Sequence, residues 1–165
     1  MYTKISFKNS KYKKNLKNSV FFVNEKFQIE LLKKFFSNNE YLYFKEILKS
    51  KDLKKRLISF DLNSKNRIIL ISVKTKIKNY EIETLGANFF EFIKSNNILE
   101  TNIIDNVVDL KIKYDFINRF IHGLKLKSYS FNIYKSKNIK KTISINVLGK
   151  QNSHSLKNKI KFEAL

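Results

Sequence analysis

Residues 67–94 read RIILISVKTKIKNYEIETLGANFFEFIK, a strand pattern followed by a helix pattern. The run 68–73 is almost entirely apolar, as expected for a strand that is covered on both faces of its sheet. The segment 79–97 then carries apolar residues at helical spacing, with acids on the other side. The apolar stripe consists of Ile82, Leu85, Phe89, Phe92 and Ile93. A buried strand that leads into an amphipathic helix is typical of α/β proteins.

Strand and helix patterns alternate along the rest of the chain. Alternating or β-branched runs predict strands within residues 3–8, 20–23, 56–60, 102–108 and 143–147. Helical spacing predicts helices over 27–36, with Asn24 as the N-cap, over 39–51 and over 113–126. The 165 residues suffice for one domain with a single core. The predicted fold class is therefore α/β, with a mixed β-sheet flanked by helices.

The formal net charge is +20, from 34 Lys and Arg against 14 Asp and Glu. A surface this basic attracts nucleic acid or anionic membranes without regard to sequence. Only Arg56, Arg67 and Arg119 are arginines, the side chain best suited to bidentate phosphate recognition. The chain lacks Pro and Trp and is rich in Lys, Asn, Ile and Phe, as AT-rich coding would produce. We therefore attribute most of the charge to coding composition.

The composition also excludes several classes of protein and site. There is no Cys, which excludes disulfides and thiolate metal sites. No apolar run approaches the roughly 20 residues that span a bilayer. The basic N-terminus is not followed by the apolar segment and cleavage site of a signal peptide. A cytoplasmic location is expected.

Residue types that perform catalysis are present but scattered. His122 and His154 have no second ligand at metal-binding spacing, and His122 is predicted to be a solvated surface residue. Gly86, Gly123 and Gly149 lie too far apart for a phosphate-binding loop. Glu81, Glu83 and Glu91 are predicted to lie on a solvated helix face rather than to act in acid–base catalysis. Ser128, Ser130 and Ser136 lack the GxSxG setting and the nearby base that nucleophilic catalysis needs. The sequence thus predicts no catalytic or metal-binding residue.

Residues 129–141, YSFNIYKSKNIKK, combine aromatic and basic side chains. One interpretation is a nucleic-acid surface on which Tyr129, Phe131 and Tyr134 stack bases. The phosphate contacts would then come from Lys135, Lys137, Lys140 and Lys141. The other interpretation is that the aromatic residues form the inner face of a strand, since large aromatic side chains are usually buried.

The segment 123–137, GLKLKSYSFNIYKSK, resembles part of the M17 family of leucyl aminopeptidases, also called cytosol aminopeptidases. In that family a helix ends in a Gly-Leu step and is followed by Tyr-x-Phe-x-x-Tyr-Lys and a small or polar residue. The matching positions are Gly123, Leu124, Tyr129, Phe131, Tyr134, Lys135 and Ser136. Residues 67–94 are similar to the family's strand, loop and helix, with Gly86 at the matching glycine. The resemblance covers most of the chain and is weakest before residue 56.

The resemblance implies a macro-like three-layer α/β sandwich that is the non-catalytic N-terminal domain of such an enzyme. The family's enzymes are cytoplasmic, usually hexameric metallo-exopeptidases that remove N-terminal residues from peptides. Their C-terminal domain binds two divalent metals, Zn or Mn, in motifs similar to GKGxxFDSGG and NTDAEGR, which this sequence lacks. Residues 1–154 are expected to form the N-terminal domain, and 155–165 to begin the helix that leads to a catalytic domain.

Three functions remain open from the sequence. The first is a packing and assembly domain whose partners are its own catalytic domain and sister subunits, with peptides bound only by the catalytic domain. The second is a nucleic-acid-binding module that uses the lysine-rich surface. The third is an independent macro-like nucleotide binder, an idea that rests on fold analogy.

Overall fold

The structure is a computed structural model that describes residues 2–13, 16–112, 115–133 and 141–149. Its strands are β1 (Tyr2–Lys8), β2 (Ser19–Asn24), β3 (Leu57–Asp61), β4 (Arg67–Val73), β5 (Glu100–Ile104) and β6 (Thr142–Leu148). Its α-helices are α1 (Asn38–Ser50), α2 (Asn79–Ser95) and α3 (Phe116–Ile133). Two 3-10 helices cover Glu30–Phe35 and Val107–Leu110. None of these described helices is both long and apolar enough to cross a membrane.

The six strands form one mixed sheet in the order β1-β6-β5-β2-β4-β3. All neighbouring strands are parallel except β3, which pairs with β4 in antiparallel fashion. The β3–β4 connection is a hairpin, which explains the antiparallel edge, since a short turn can only join antiparallel strands. The other connections carry the chain across the sheet faces, as parallel pairing requires.

Both faces of the sheet are covered, so the molecule is a three-layer sandwich. On one face Phe22, Ile69 and Ile71 pack against α2 and α3. On the other, Phe21 and Leu70 pack against α1 and the 3-10 helix before it. Because successive strand side chains point to opposite faces, the continuous apolar run of β4 supplies both cores. The predicted fold class and the doubly covered strand at 68–73 are confirmed.

Helix α1 begins at a capping box that its sequence encodes. The Ser37 side chain accepts a hydrogen bond from the backbone N–H of Glu40, at 3.3 Å. The Glu40 carboxylate in turn accepts one from the backbone N–H of Ser37, at 2.7 Å. These bonds satisfy two donors at the exposed helix start, which fixes where the predicted helix 39–51 begins.

The predicted helix over 27–36 with Asn24 as its N-cap is wrong. Asn24 ends β2, and its side-chain oxygen accepts hydrogen bonds from the backbone N–H groups of Lys26 and Gln28. Phe27 then has a φ of 52°, which an α-helix cannot accommodate. Only the 3-10 helix Glu30–Phe35 follows, although Phe27 and Leu32 are buried as their apolar character suggests.

The helix predicted over 113–126 continues to Ile133, so it does not end at the Gly123-Leu124 step that the resemblance implies. Gly123 does not have the positive φ of a C-terminal cap. It lies inside α3 because the backbone of α2 passes directly over it: a Cβ at Gly123 would lie 2.0 Å from the Glu83 carbonyl oxygen. The glycine therefore serves helix packing, and the good helix formers Leu124 to Lys127 extend the helix.

Gly86 forms the matching half of this close approach. A Cβ at Gly86 would lie 1.9 Å from the carbonyl oxygen of Phe120. The two glycines thus let the backbones of α2 and α3 come closer than any side chain permits. The crossing positions Phe89 and Phe120 above the sheet, where Phe120 contacts Phe22 at a ring-centroid distance of 5.3 Å.

Replacing Gly86 or Gly123 by Ala is expected to destabilise the protein. A helix-interior Gly→Ala change ordinarily gains up to about 1 kcal/mol. Here the added methyl group collides with backbone atoms, and we expect a net loss of about 3 kcal/mol. Urea unfolding followed by circular dichroism measures this loss. Asn88→Ala at an exposed position of α2 is the control, with an expected change within about 0.5 kcal/mol. A stability gain in Gly86→Ala would contradict the close crossing.

Candidate functional site

A cluster of charged side chains lies where α2 and α3 cross. The Arg119 guanidinium pairs through Nε with the Asp115 carboxylate on its own helix. Its Nη1 lies 3.8 Å from Glu83 Oε1 on α2, and His122 Nδ1 lies 3.5 Å from the same oxygen. Asp115 and Arg119 lie four residues apart on α3, and the contacts of Arg119 and His122 with Glu83 also tie the two helices together.

His122 is not the solvated residue that the sequence predicts. Only 13% of its side chain is exposed, because the close crossing at Gly123 brings Glu83 over it. A histidine between a carboxylate and an arginine is a possible proton carrier, but both Glu83 and Asp115 are already engaged by Arg119. The geometry therefore fits a structural link better than a catalytic base.

The other acids of α2 also have structural partners. Glu81 accepts a hydrogen bond from the backbone N–H of Lys78 at 2.9 Å, and this bond holds the pKa of its carboxyl below the ordinary value. Glu91 pairs with Lys127 on α3 at 2.7 Å, and the hydrogen bond from Lys127 lowers its pKa as well. Among the described residues, no three His, Asp or Glu side chains are arranged to hold a metal. The two metals that the resemblance implies therefore do not fit this part of the chain.

The carboxyl ends of the central strands are bridged by a side chain. Ligands in open α/β sheets bind where neighbouring strands continue in opposite directions, which here is between β2 and β5. At this point the Asn106 side chain accepts a hydrogen bond from the Phe22 backbone N–H, at 3.0 Å, and donates one to the Phe22 carbonyl, at 2.8 Å. Asn106 thus ties the chain after β5 to β2 at this point of the sheet.

Asp105 precedes Asn106 and is mostly covered. Its Oδ1 is buried and accepts no hydrogen bond from the described residues. Burial raises the pKa of this carboxyl above its ordinary value, and a hydrogen bond from the Val107 backbone offsets part of the rise. Gly149 lies against it, since a Cβ there would be 2.8 Å from Asp105 Cβ. No sequence pattern indicates this buried acid, because its burial depends on how the end of β6 meets β5.

The aromatic and basic segment 129–141 is only partly described. Tyr129 lies on α3 with 68% of its surface exposed, so the interpretation that places it on the inner face of a strand is wrong. Phe131 belongs to the same helix, and its side chain lies outside the description. Lys141 is exposed just before β6. The residues Tyr134, Lys135, Ser136, Lys137 and Lys140 lie outside the described residues.

The amino-terminal edge of the sheet carries a polar depression that sequence patterns do not reveal. It lies beside the β3–β4 hairpin turn and the turn that connects α2 to β5. Arg67 and Asp61 stand at its centre, with Arg67 Nε 2.8 Å from Asp61 Oδ1. The two residues are directly paired across the hairpin. Their proximity follows from strand register, which the sequence alone did not specify.

Comparison with known proteins finds a likeness in structure. No protein-family model matches the sequence, and no curated protein matches it. Among solved structures, the chain is similar to a mutant of tomato leucine aminopeptidase, with a TM-score of 0.68 and 16% sequence identity. The match covers 97% of this chain and 35% of the tomato chain, so this chain spans about a third of that protein's length. At this identity the likeness establishes a shared fold.

Asp105→Asn is expected to stabilise the protein in a pH-dependent way. A carboxyl whose folded-state pKa is raised opposes folding when it is ionised, at pH values above that folded pKa. The variant should therefore unfold at higher temperature than the parent at pH 7. The difference should vanish as the pH falls through the folded pKa towards the ordinary value of 3.8. Thermal unfolding from pH 3 to 8 measures it, with the exposed Asp52→Asn as control. A difference that does not vary with pH would refute the buried, destabilising carboxylate.

Proposed function

We propose that this chain is the non-catalytic N-terminal domain of a leucyl-aminopeptidase-type enzyme and serves packing and subunit assembly. The observation that carries the proposal is the fold likeness, which includes nearly all of this chain but only 35% of the tomato enzyme. A chain that corresponds to one part of a larger enzyme is expected to share the role of that part. The glycine positions Gly86 and Gly123, on which the sequence resemblance rests, support the same proposal because they meet at one helix crossing.

The chemistry of the described residues supports a non-catalytic role. Peptide hydrolysis by two metals needs a cluster of carboxylates that holds the ions roughly 3.5–4 Å apart. The carboxylates of α2 are instead occupied by a helix start and by pairs with α3. Metal binding and peptide cleavage would then belong to a separate catalytic domain.

An assembly role is supported by exposed apolar side chains on α3. Leu126 and Tyr129 lie three residues apart on the helix, with 52% and 68% of their surfaces exposed. Residues at this spacing share one side of a helix. Such a side is suited to contact a catalytic domain or a sister subunit, and a homo-oligomer, hexameric as in the family, is part of the proposal.

The isolated chain is expected to hydrolyse no leucyl substrate. The chain is incubated with leucine p-nitroanilide and with Mn²⁺ or Zn²⁺, and release of p-nitroaniline is followed. A complete leucyl aminopeptidase, tested in the same buffer, is the positive control. The rate should equal that of the metal alone, since the described residues provide no dimetal cluster. Metal-dependent turnover of the leucyl substrate that co-purifies with the chain would contradict the non-catalytic assignment.

A nucleic-acid-binding module is the second candidate function, and the exposure of Tyr129 favours it. Base stacking needs an accessible ring, and the Tyr129 ring is accessible on a chain of net charge +20. Lys141 is the described member of the proposed phosphate contacts, with Lys135, Lys137 and Lys140 as the others.

This alternative predicts that Tyr129→Ala weakens binding of a fluorescent single-stranded oligonucleotide. Loss of one stacking contact is worth about 1–3 kcal/mol, or roughly five- to 150-fold in affinity. Fluorescence anisotropy at 50 and 200 mM NaCl measures the loss together with the salt dependence. Tyr80→Ala, which removes another exposed tyrosine, is the matched control. If both variants bind the oligonucleotide with equal affinity, the attraction is nonspecific and a stacking module is excluded.

A further inference from the structure

The polar depression around Arg67 has the dimensions of a small-molecule site. It consists of two adjoining parts of about 450 and 520 Å³, which share Asp61, Arg67 and Asn96. Small-molecule sites generally measure about 300–1,000 Å³. The depression lies at the amino-terminal edge of the sheet, away from the bridged carboxyl ends of β2 and β5.

Arg67 lines both parts of this depression and is paired with Asp61. Its Nε lies 2.8 Å from Asp61 Oδ1, and the Asp61 carbonyl accepts a hydrogen bond from the Tyr43 hydroxyl at 3.3 Å. The Arg67 side chain remains 35% exposed. The described structure gives the guanidinium no other hydrogen-bond acceptor than Asp61. Its Nη groups can therefore bind an oxyanion as a planar fork.

The charge around Arg67 favours an anionic ligand. Lys17 and Lys65 line the same part of the depression, against the two acids Asp61 and Glu100. Because Asp61 and Glu100 offset two of the three cations, the lining keeps one net positive charge. A phosphate group offers three oxygens, so Arg67 and both lysines can each contact one of them.

Neutral hydrogen-bonding groups surround these charges. Asn63 and Ser64, on the hairpin turn, and Asn97, after α2, line the depression. The turn itself is rigid, because the Asn63 side chain accepts hydrogen bonds from the backbone N–H groups of Lys65 and Asn66 at 2.9 and 3.0 Å. Amide and hydroxyl groups on a rigid turn are suited to contact the hydroxyls of a sugar.

We propose that this depression binds a small phosphorylated sugar or polyol, with the phosphate on Arg67, Lys17 and Lys65. The site is independent of the proposed aminopeptidase role and of the α3 surface. It requires no covalent chemistry, and its effect is recognition only.

Titration of the ¹⁵N-labelled chain with glucose 6-phosphate, followed by NMR, tests the site. The expected result is saturable shifts of the backbone amides of residues 63–67 and 96–100. Inorganic phosphate should shift the same amides more weakly, because it lacks the hydroxyls. Glucose and succinate should leave them nearly unshifted, since the first has no phosphate and the second offers only carboxylates.

Two substitutions at Arg67 locate the phosphate contact. Arg67→Gln should weaken glucose 6-phosphate binding at least tenfold, and Arg67→Lys several-fold, because Lys keeps the charge but loses the planar fork. Lys4→Gln removes the same charge from the opposite edge strand and should leave the affinity unchanged. Circular dichroism checks that each variant is folded. If Arg67→Gln does not fold, the loss of glucose 6-phosphate affinity in Arg67→Lys tests the phosphate contact.

Three results would overturn the proposal. The first is a titration without saturable shifts at residues 63–67 and 96–100. The second is an equal loss of affinity in Lys4→Gln and the Arg67 variants, which would indicate general charge attraction. The third is succinate binding as tightly as glucose 6-phosphate, which would exclude a phosphate site.

Discussion

The close crossing of α2 and α3 at Gly86 and Gly123 is the contact on which the helical layer of the larger core depends. Backbone meets backbone there, because a methyl group on either glycine would overlap a carbonyl oxygen of the other helix. The crossing lowers both helices onto the sheet, where Phe120 reaches Phe22. It also covers His122 with Glu83, so the charged cluster on the outer side is a consequence of the same contact. The packing of α2 and α3 on the sheet and the charged contacts between these helices therefore both result from the crossing at the two glycines.

The two ends of the sheet offer different chemistry. At the carboxyl ends, Asn106 closes the gap between β2 and β5 by bonding to both polar groups of the Phe22 backbone. At the amino-terminal edge, the Arg67 side chain is 35% exposed and lies beside the polar β3–β4 turn and the turn after α2. The proposed ligand site thus lies at the edge that parallel α/β proteins ordinarily leave unused. The aminopeptidase proposal concerns neither end, since it concerns the outer surface of α3.

Local patterns predicted most of the strands and two of the helices, because each depends on its own residues. The strand predicted over 102–108 is wrong after residue 104, since β5 is Glu100–Ile104 and Val107–Leu110 is a 3-10 helix. The run 68–73 is apolar on both faces, and Ser37 with Glu40 encodes the start of α1. The patterns failed where a distant segment decides the conformation. Gly123, which the resemblance places at a helix end, lies inside α3 and packs under Glu83, and His122 is covered for the same reason. The Asp61–Arg67 pair could not be predicted because it depends on the register of a hairpin.

The central claim is that this chain supplies the non-catalytic domain of a larger leucyl-peptidase assembly. Immunopurification of the native protein from the cells that produce it, followed by mass spectrometry and a leucyl-peptide hydrolysis assay on the same fraction, tests this claim most directly. The account predicts metal-dependent leucyl-peptidase activity in that fraction, together with a catalytic region that is either continuous with this chain or bound to it. A pure fraction that contains this domain without a catalytic region and without activity would contradict it.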